Sequence, residues 1–487
     1  MHFPTVRPRE TPVVGAQVLR NHIEASRSHS TMSTPLPEDP PIESFGELVP
    51  LDSLQDAPLR DGEAPWPKQA TLTDLKTQCS PMMFGGGVFG HGKYNDDALL
   101  YSNAAVRALR LAFRYGINAL DTSAYYEPSE LVLGRALRIL APEYPRSSYF
   151  LITKCGRYGA EKDKFDYSPK RIEESIQRSL KRLGTTYLDA ALLHDIEFVS
   201  NQPEIAQAPE GAPLAAQAVG LPCAGAPHSQ EEALRLLGLA PEDAAKIRGP
   251  GDEQVLEAAR TLFKLKDQGV VRNVGMSGYP LGELVRISRL IASHPPYRPL
   301  DVILSYSNDT LHADLLSAWR PLFAARPSSV PEAKWEPPML INASPFSMGL
   351  FSDRGPPPWH PADPKLLEAV QLAHARAKNA ASVTDVAPVT ADNVLGYTAL
   401  SYGLRNAASK DAVPTLLGMS TTEEVHTGVS AFRALAAGLG TYPVDASVKE
   451  KYETLFHQLA SFEGMIRRTL QDAQVNELCW PSPAPDA

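Results

Sequence analysis

Four polar residues of this sequence lie at or just beyond the ends of short apolar runs. Asp121 and Tyr126 follow the run INAL, Lys154 ends SYFLITK, and His194 stands near the end of YLDAALLHD. A phenol, whose ordinary pKa is about 10, exchanges protons poorly near neutral pH unless a nearby ammonium stabilises the phenolate. Lys154 can supply that charge and Asp121 can orient it, while His194 can donate to a substrate oxygen. The set predicts proton transfer at a carbonyl or carbinol carbon.

Each of these four residues also has an ordinary structural interpretation. An aspartate after a strand commonly caps a helix, a loop tyrosine fills apolar space, and a lysine at a sheet edge is solvated. Four of them at matched positions favour the catalytic interpretation. No metal centre is expected, because a metallohydrolase barrel needs several His and carboxylate ligands, and the first strand offers only His91, in a glycine-rich loop.

The elements that must position these residues repeat along the chain. Apolar runs alternate with helical stretches, which is typical of a parallel sheet in an α/β protein. Eight strands can be counted, which predicts a closed (β/α)8 TIM barrel whose strand ends meet on one rim, where such barrels keep their chemistry. The strands are predicted at residues 82–88, 117–120, 149–154, 188–194, 270–276, 302–306, 339–343 and 415–417.

Segments outside the barrel differ from it in composition. Residues 1–70 are rich in Pro, Glu and Ser and lack sustained periodicity, which predicts a disordered tail. Residues 71–440 are assigned to the barrel, with an Ala-, Pro- and Gly-rich insertion at 201–251 after the fourth strand. Residues 441–487 form a C-terminal extension, in which an amphipathic helix is predicted at 446–471.

Composition excludes several functional classes. The formal net charge of −9 gives no electrostatic reason to expect binding to nucleic acid or to an anionic membrane surface. No run of about 18 apolar residues is present, so no membrane-spanning segment is predicted. We therefore expect a small-molecule substrate, and a monomer or small homo-oligomer.

Cysteine usage bears on the compartment. The four cysteines are scattered and form no CxxC pair, which argues against a zinc site or a disulfide framework. This usage favours a reducing compartment, and a cytoplasmic location is predicted. The alternative is a mitochondrial one, because the first 33 residues carry four arginines and several serines, as a presequence would.

Several sequence runs resemble the aldo-keto reductase family: DTSAYYEPSELVLGRAL, LITKCGR, LDAALLHD, VRNVGMSGY and SPFSMGL. The resemblance extends over residues 80–435, apart from the insertion. It implies a barrel oxidoreductase that uses a nicotinamide cofactor without a metal. It also implies that Asp121, Tyr126, Lys154 and His194 are the catalytic tetrad, with Tyr126 as the acid in reduction and the base in oxidation.

The resemblance implies cofactor contacts as well. The family commonly places Ser-Asn after strand 5 to hold the nicotinamide carboxamide, and this chain has Ser277-Gly278 there. Family members that use NADPH place cations in the last strand–helix unit, where this chain has Gly418 and Glu424, so NAD is expected, with NADP as the alternative. The loop after strand 7 is expected to contact the cofactor pyrophosphate through Ser344, Pro345, Ser347 and Gly349.

Substrate recognition is expected to use polar and aromatic groups at the rim. The runs FGGGVFGHGKYNDD, KFDYSP and LLHDIEFV resemble the D-arabinose 1-dehydrogenase branch of the family. This resemblance implies NAD-dependent oxidation of an aldose at C1 to the lactone, with D-arabinose, L-galactose or L-fucose as substrate. The rim residues expected to bind such a sugar are His91, Tyr94, Tyr125 and Trp359.

Two other functions fit the same sequence. An NADPH-dependent aldehyde or ketone reductase could use the same four residues. A barrel kept as a regulatory subunit is the second alternative, favoured by the insertion and the long tails but opposed by the intact tetrad.

Overall fold

The computed structural model describes residues 36–477 and residue 480, apart from residues 56, 63, 93, 208–210, 222–226 and 385–387. The chain divides into two units, Met1–Pro40 and Pro41–Ala487, and the second holds the barrel and the predicted site. The disorder and the presequence predicted for the first residues of the chain fall on residues 1–35, which lie outside the described residues.

Eight parallel strands form a closed barrel in chain order, and β8 pairs with β1. Its eight strands are β1 Met82–Gly85, β2 Ala119–Asp121, β3 Phe150–Cys155, β4 Ala190–Leu193, β5 Val274–Gly278, β6 Val302–Tyr306, β7 Met339–Ala343 and β8 Thr415–Gly418. Nearly all strand residues are buried, because each strand has the barrel interior on one face and helices on the other. The predicted TIM barrel is confirmed.

Fourteen α-helices are found in the described part of the chain. They are α1 Leu75–Gln78, α2 Ala104–Arg114, α3 Ser129–Leu140, α4 Pro169–Leu183, α5 Glu204–Gln207, α6 Gly211–Gln217, α7 Gln230–Leu236, α8 Pro250–Asp267, α9 Leu281–Ala292, α10 Leu316–Ala324, α11 Pro364–Thr384, α12 Val394–Leu404, α13 Thr422–Leu439 and α14 Lys449–Asp472. None of the helices in these described ranges is both long and apolar enough to cross a membrane.

Helix α4 shows how the sequence sets these boundaries. Pro169 occupies its first turn, where the missing N–H costs nothing, and Gly184 ends it in the left-handed conformation with φ 65°. Between them Ile172, Ile176 and Leu180 recur every four residues and are buried. The helix therefore packs one apolar face on the barrel while its charged face meets solvent.

The first strand is shorter than predicted. The sequence predicts a strand through residue 88, whereas Gly86–Phe89 forms a 3-10 helix. A side chain at Gly86 would require its neighbours to shift, because its Cβ would lie 2.7 Å from Leu133 Cδ1 and 2.8 Å from Ser129 Oγ. The chain turns here because the glycine lets it pack directly on α3.

The disorder predicted for residues 1–70 does not extend to residues 41–70. Phe45 and Trp66 are buried in this segment, and the Trp66 ring lies edge-on to Phe432 at 4.6 Å between centroids. Arg135 of α3 donates to the carbonyl oxygens of Gly46 and Glu47. Phe45 and Trp66 are thus large apolar side chains through which this proline-containing segment packs on the barrel.

The insertion lies where it is predicted, between β4 and α8, and contains α5, α6 and α7. A buried ionic cluster, formed by Arg286, Asp252 and Glu283, joins its two ends to α9. Arg286 donates to both Asp252 oxygens at 2.8 Å and to Glu283 at 2.6 and 2.8 Å. The Asp252 carboxylate also accepts from the backbone N–H groups of Asn201 and Arg248, which flank the insertion.

The predicted C-terminal helix is present as α14, which packs on α11 and α13. Its buried side chains recur on one face: Tyr452, Leu455, Leu459, Phe462 and Ile466. Beyond α14 the chain returns to the rim, where the Glu477 N–H donates to the His312 carbonyl at 2.6 Å and the Glu477 carboxylate accepts from the Asp314 N–H at 2.9 Å.

Candidate active site

The barrel brings the predicted acid–base residues to one rim. Asp121 is the last residue of β2, Lys154 lies near the end of β3, and His194 directly follows β4. All three are at most 3% exposed. Lys154 Nζ makes a short contact with Asp121 Oδ1 and donates to the Thr122 carbonyl at 3.1 Å. The buried ammonium is therefore paired and held in one position, as the sequence predicts.

Tyr126 lies between the lysine and the histidine. Lys154 Nζ is 4.9 Å from the centroid of the Tyr126 ring, and the His194 ring is 5.4 Å from it at an interplanar angle of 88°. The Tyr126 N–H donates to the Ser123 carbonyl at 3.0 Å, which fixes the turn after β2. The four residues identified in the sequence are thus neighbours in space.

His194 is held as a neutral imidazole. Its burial, with the positive charges of Lys154 and Arg157 nearby, lowers its pKa well below its ordinary value. Its Nδ1 shares a hydrogen bond of 2.8 Å with the Ser123 hydroxyl, and its backbone N–H donates to the Cys155 carbonyl at 2.9 Å. A neutral, oriented imidazole can hydrogen-bond a substrate oxygen without adding charge to the site.

The pKa of Tyr126 departs from the expectation that Lys154 lowers it. Burial raises the pKa well above its ordinary value, the negative charges of Asp121 and Asp195 raise it further, and Arg157 opposes them. Asp121 offsets the lysine charge because the two form a tight pair. Tyr126 is therefore a protonated phenol in this arrangement, ready to act as an acid. An oxidised nicotinamide carries a positive charge, which would favour the phenolate when bound beside it.

The loop after β7 contains the residues predicted to contact the cofactor pyrophosphate. Ser344, Ser347 and Met348 have left-handed φ values of 60°, 48° and 52°, a strained conformation for non-glycine residues that is common at functional sites. The Ser347 hydroxyl is buried and has no hydrogen-bond partner among the described residues. These features fit the predicted contact with the cofactor pyrophosphate, since a phosphate oxygen would satisfy that donor.

Two neighbours hold this loop in place. His360 Nε2 donates to the Ser347 carbonyl at 2.8 Å, and its Nδ1 accepts from the Ala362 N–H at 3.1 Å. Pro345 packs against α12 at Gly403, where an added Cβ would lie 2.3 Å from Pro345 Cβ. Pro345 thus supports the loop by packing. Gly349, with φ 93°, completes the turn.

The Ser277 hydroxyl is already engaged. It accepts from the Asp195 N–H at 3.3 Å and donates to the Leu193 carbonyl at 3.4 Å, so it joins the ends of β4 and β5. An additional bond to a nicotinamide amide would use its remaining acceptor capacity.

Glu424 is also engaged in local structure. With Thr421 it forms a capping box at the start of α13, and its carboxylate accepts from the Ser420 N–H and hydroxyl at 2.6 and 2.7 Å. In this structure the Glu424 side chain therefore caps the first turn of α13. Gly418 pairs with Gly85 across the barrel seam, and an added Cβ would lie 2.5 Å from Val88 Cγ1.

The predicted substrate residues occupy different parts of the rim. Tyr125 lies beside the tetrad, with its ring 5.7 Å from that of His194. Tyr94 and Trp359 form an exposed edge-to-face pair at 6.0 Å. His91 is exposed and paired with Asp97 at 3.0 Å, and its backbone N–H donates to Glu127, next to Tyr126. The Tyr125 ring contacts the rings of both Tyr126 and His194.

Three rim residues are not predicted from the sequence. Arg157 and Asp195 form a short ion pair next to Tyr125 and His194. Trp480, near the end of the chain, stacks on Tyr279 at 5.0 Å and 6° and is 8% exposed. Arg157 and Asp195 are the last residues of the quoted runs LITKCGR and LDAALLHD, so their positions were available in the sequence, whereas Trp480 gives no local signal.

The closed barrel brings Tyr126, Lys154, Asp121 and His194 together on one rim, an arrangement that could transfer a proton at a carbonyl or carbinol carbon. The sequence model of the aldo/keto reductase family matches residues 81–436, and the chain belongs to this family. It is accordingly an oxidoreductase that uses a nicotinamide cofactor. No group of three or more His, Cys, Asp or Glu side chains in the described ranges is arranged to hold a metal ion.

Two relatives align over most of their length. L-galactose dehydrogenase of Arabidopsis thaliana is 33% identical over 356 residues, 72% of this chain and 82% of that protein. D-arabinose 1-dehydrogenase of Saccharomyces cerevisiae is 31% identical over 348 residues, 71% of this chain and 81% of that protein. A solved aldo-keto reductase from Bacillus halodurans is 19% identical, with a TM-score of 0.44, covering 79% of this chain and 96% of that one.

Proposed function

We propose that this protein oxidises the anomeric hydroxyl of an aldose to the lactone, with NAD as the hydride acceptor. D-arabinose is the proposed substrate, with L-galactose and L-fucose, which share its C2 to C4 configuration, as alternatives. The observation that carries the reaction type is the convergence of Tyr126, the Lys154–Asp121 pair and neutral His194 on one rim. The sugar is supported by the names of the two relatives that align over most of their length.

In this mechanism the side chains of the site transfer the proton of the C1 hydroxyl. Tyr126, as the phenolate that bound NAD would favour, accepts the C1 hydroxyl proton and becomes a neutral phenol, while His194 hydrogen-bonds the same oxygen and fixes its direction. Lys154, paired with Asp121 beside the Tyr126 ring, helps to stabilise the phenolate before it takes the proton. The nicotinamide supplies the acceptor for the hydride leaving C1. The cyclic sugar becomes a lactone in one step, because C1 already carries the ring oxygen.

The proposal includes a cytoplasmic setting and a monomer or small homo-oligomer. Cys79 and Cys155 carry free thiols, which supports a reducing compartment.

A substrate panel tests the reaction. With D-arabinose, L-galactose, L-fucose and several other aldoses, we expect absorbance of reduced cofactor to appear with NAD, and the lactone to be the product. Reduction of simple aldehydes with NADPH, without oxidation of any of these sugars, would instead identify an aldehyde or ketone reductase. Turnover of neither class would support the regulatory-subunit alternative.

The cofactor preference is tested at Glu424. NAD should be preferred by the unmodified protein, and Glu424→Arg should narrow the ratio of kcat/KM for NAD to that for NADP by about tenfold, through a charge-assisted bond to the 2′-phosphate. Glu424→Gln is the matched control, because glutamine can keep the capping box. If Glu424→Gln narrowed the ratio as much as Glu424→Arg, the added cation would not be the cause. Equal use of NADP by the unmodified protein would contradict the proposal.

A further inference from the structure

We propose that Arg157 and Asp195 form a polyol-binding pair that hydrogen-bonds hydroxyl groups on the carbons next to the reacting one, and so selects neutral polyhydroxylated substrates. This inference rests on the proposed function and deepens it, since it assigns residues to recognition of the sugar.

The pair lies beside the acid–base residues. Asp195 directly follows His194, and its left-handed backbone, with φ 54°, is a conformation that few non-glycine residues adopt. Its Oδ2 lies 3.7 Å from His194 Nε2. The two groups are therefore adjacent at the rim. A sugar whose C1 oxygen meets His194 can place a neighbouring hydroxyl within hydrogen-bonding reach of Asp195.

Aromatic rings fix the guanidinium of Arg157. Its central carbon lies 4.0 Å from the Tyr125 ring centroid and 5.2 Å from each of the Phe165 and Phe198 centroids. The two phenylalanine rings stack at 4.7 Å and 6°. Only 15% of the Arg157 side chain and 5% of the Asp195 side chain are exposed. The pair is a preformed part of the site, so binding a ligand costs little side-chain entropy.

Hydrogen-bonding capacity remains on both partners. Of the five N–H donors of an arginine, three are engaged with described residues: Nε with the Gly159 carbonyl, Nη1 with Asp195, and Nη2 with the Tyr125 hydroxyl. No described residue hydrogen-bonds the second oxygen of Asp195. The pair thus offers two donors and an adjacent acceptor, which match a vicinal diol, since one hydroxyl can donate while the other accepts.

Charge balance defines the ligand class. The positive and negative charges cancel, so the pair has no net attraction for a carboxylate or phosphate substrate. A substrate without hydroxyls would displace water from the carboxylate oxygen and leave it unpaired, which is costly in a buried site. A neutral polyol satisfies both partners.

The first test uses the unmodified enzyme with NAD and three probes: D-arabinose, 2-deoxy-D-ribose, which is D-arabinose without its C2 hydroxyl, and 3-deoxy-D-arabinose. We expect kcat/KM to fall about 100-fold or more for at least one deoxy sugar. This measurement needs no variant, so it holds even if a substitution disturbs folding. A less than threefold loss for both deoxy sugars would overturn the inference.

The second test determines whether Asp195 is the residue that binds the sugar hydroxyl missing from the discriminated deoxy sugar. Asp195→Asn should lower the ratio of kcat/KM for D-arabinose to kcat/KM for the discriminated deoxy sugar by about 10- to 100-fold. Arg157→Lys should give the same pattern. Comparing substrates cancels general effects, such as the influence of the Asp195 charge on Tyr126. Asp166→Asn is the matched control, because it alters the nearby Arg171–Asp166 ion pair and should change both sugars equally.

The outcomes separate the two levels of the proposal. Equal losses for D-arabinose and the deoxy sugar in Asp195→Asn would show a structural role and overturn this inference alone. Oxidation of no sugar by the unmodified enzyme, with reduction of simple aldehydes, would overturn the proposed function itself.

Discussion

Tyr126→Phe should lose roughly 10²- to 10⁴-fold in turnover, with cofactor binding unchanged. The substitution removes only the hydroxyl that transfers the proton, and it leaves the ring packed against His194 and the Lys154 ammonium. Steady-state kinetics and a fluorescence titration with NAD measure the two quantities separately.

Tyr125→Phe is the matched control for this substitution. It removes a neighbouring phenol hydroxyl, which accepts from Arg157 Nη2 at 3.2 Å, but not the group assigned to proton transfer. Its loss in turnover should be much smaller than that of Tyr126→Phe. If Tyr125→Phe abolished turnover and Tyr126→Phe did not, the assignment of the two tyrosines would be wrong.

Arg286→Met should destabilise the protein by about 3–5 kcal/mol. Methionine fills a similar volume but leaves the Asp252 and Glu283 carboxylates without their cation, and their side chains are 0% and 2% exposed. The urea midpoint, followed by circular dichroism, measures the loss. Arg289→Met on the same helix is the control and should lose less, since the hydrogen bonds of Arg289 to described residues go to the Leu239 and Leu322 carbonyls and to no carboxylate. Equal losses would argue against a special contribution of the buried ionic cluster.

The same comparison has a defined pH dependence. Burial raises the pKa of Asp252, but its bonds to Arg286 more than offset this, so the pKa lies below its ordinary value of 3.8. A lowered pKa contributes stability above the ordinary value, and this contribution is lost as pH falls through the folded-state value. The difference in stability between the unmodified protein and Arg286→Met should therefore narrow below about pH 4.

A site residue could be predicted from the sequence when the pattern that marks it lies within a few neighbouring residues. Asp121, Lys154 and His194 could be placed because each stands at the end of an apolar run, and strand ends share a rim. The capping box of Glu424 was equally visible, since Thr421 precedes the glutamate by three residues. By contrast, the Ser277 bonds to the end of β4 depend on strand register, which sequence spacing does not specify.

Other features depend on contacts between distant residues. In the segment 41–70, Trp66 packs against Phe432 of the barrel. No local periodicity in the sequence predicts such a contact. The raised pKa of Tyr126 results from burial and from the negative charges of Asp121 and Asp195. Asp195 was not among the residues predicted to act on this tyrosine. The chemistry of individual residues was thus easier to predict than the electrostatic balance of the assembled site.

Trp480 lies outside residues 81–436, which match the family, yet its ring covers Tyr279 at the rim. Part of the lining is therefore encoded in a tail that contributes no strand to the barrel. A substitution at Trp480 would change the packing around Tyr279 at the rim without replacing a residue of any of the eight strands. Two chains with the same barrel and tetrad can thus diverge in substrate through their last residues, and an activity assigned by barrel similarity alone would not register that divergence.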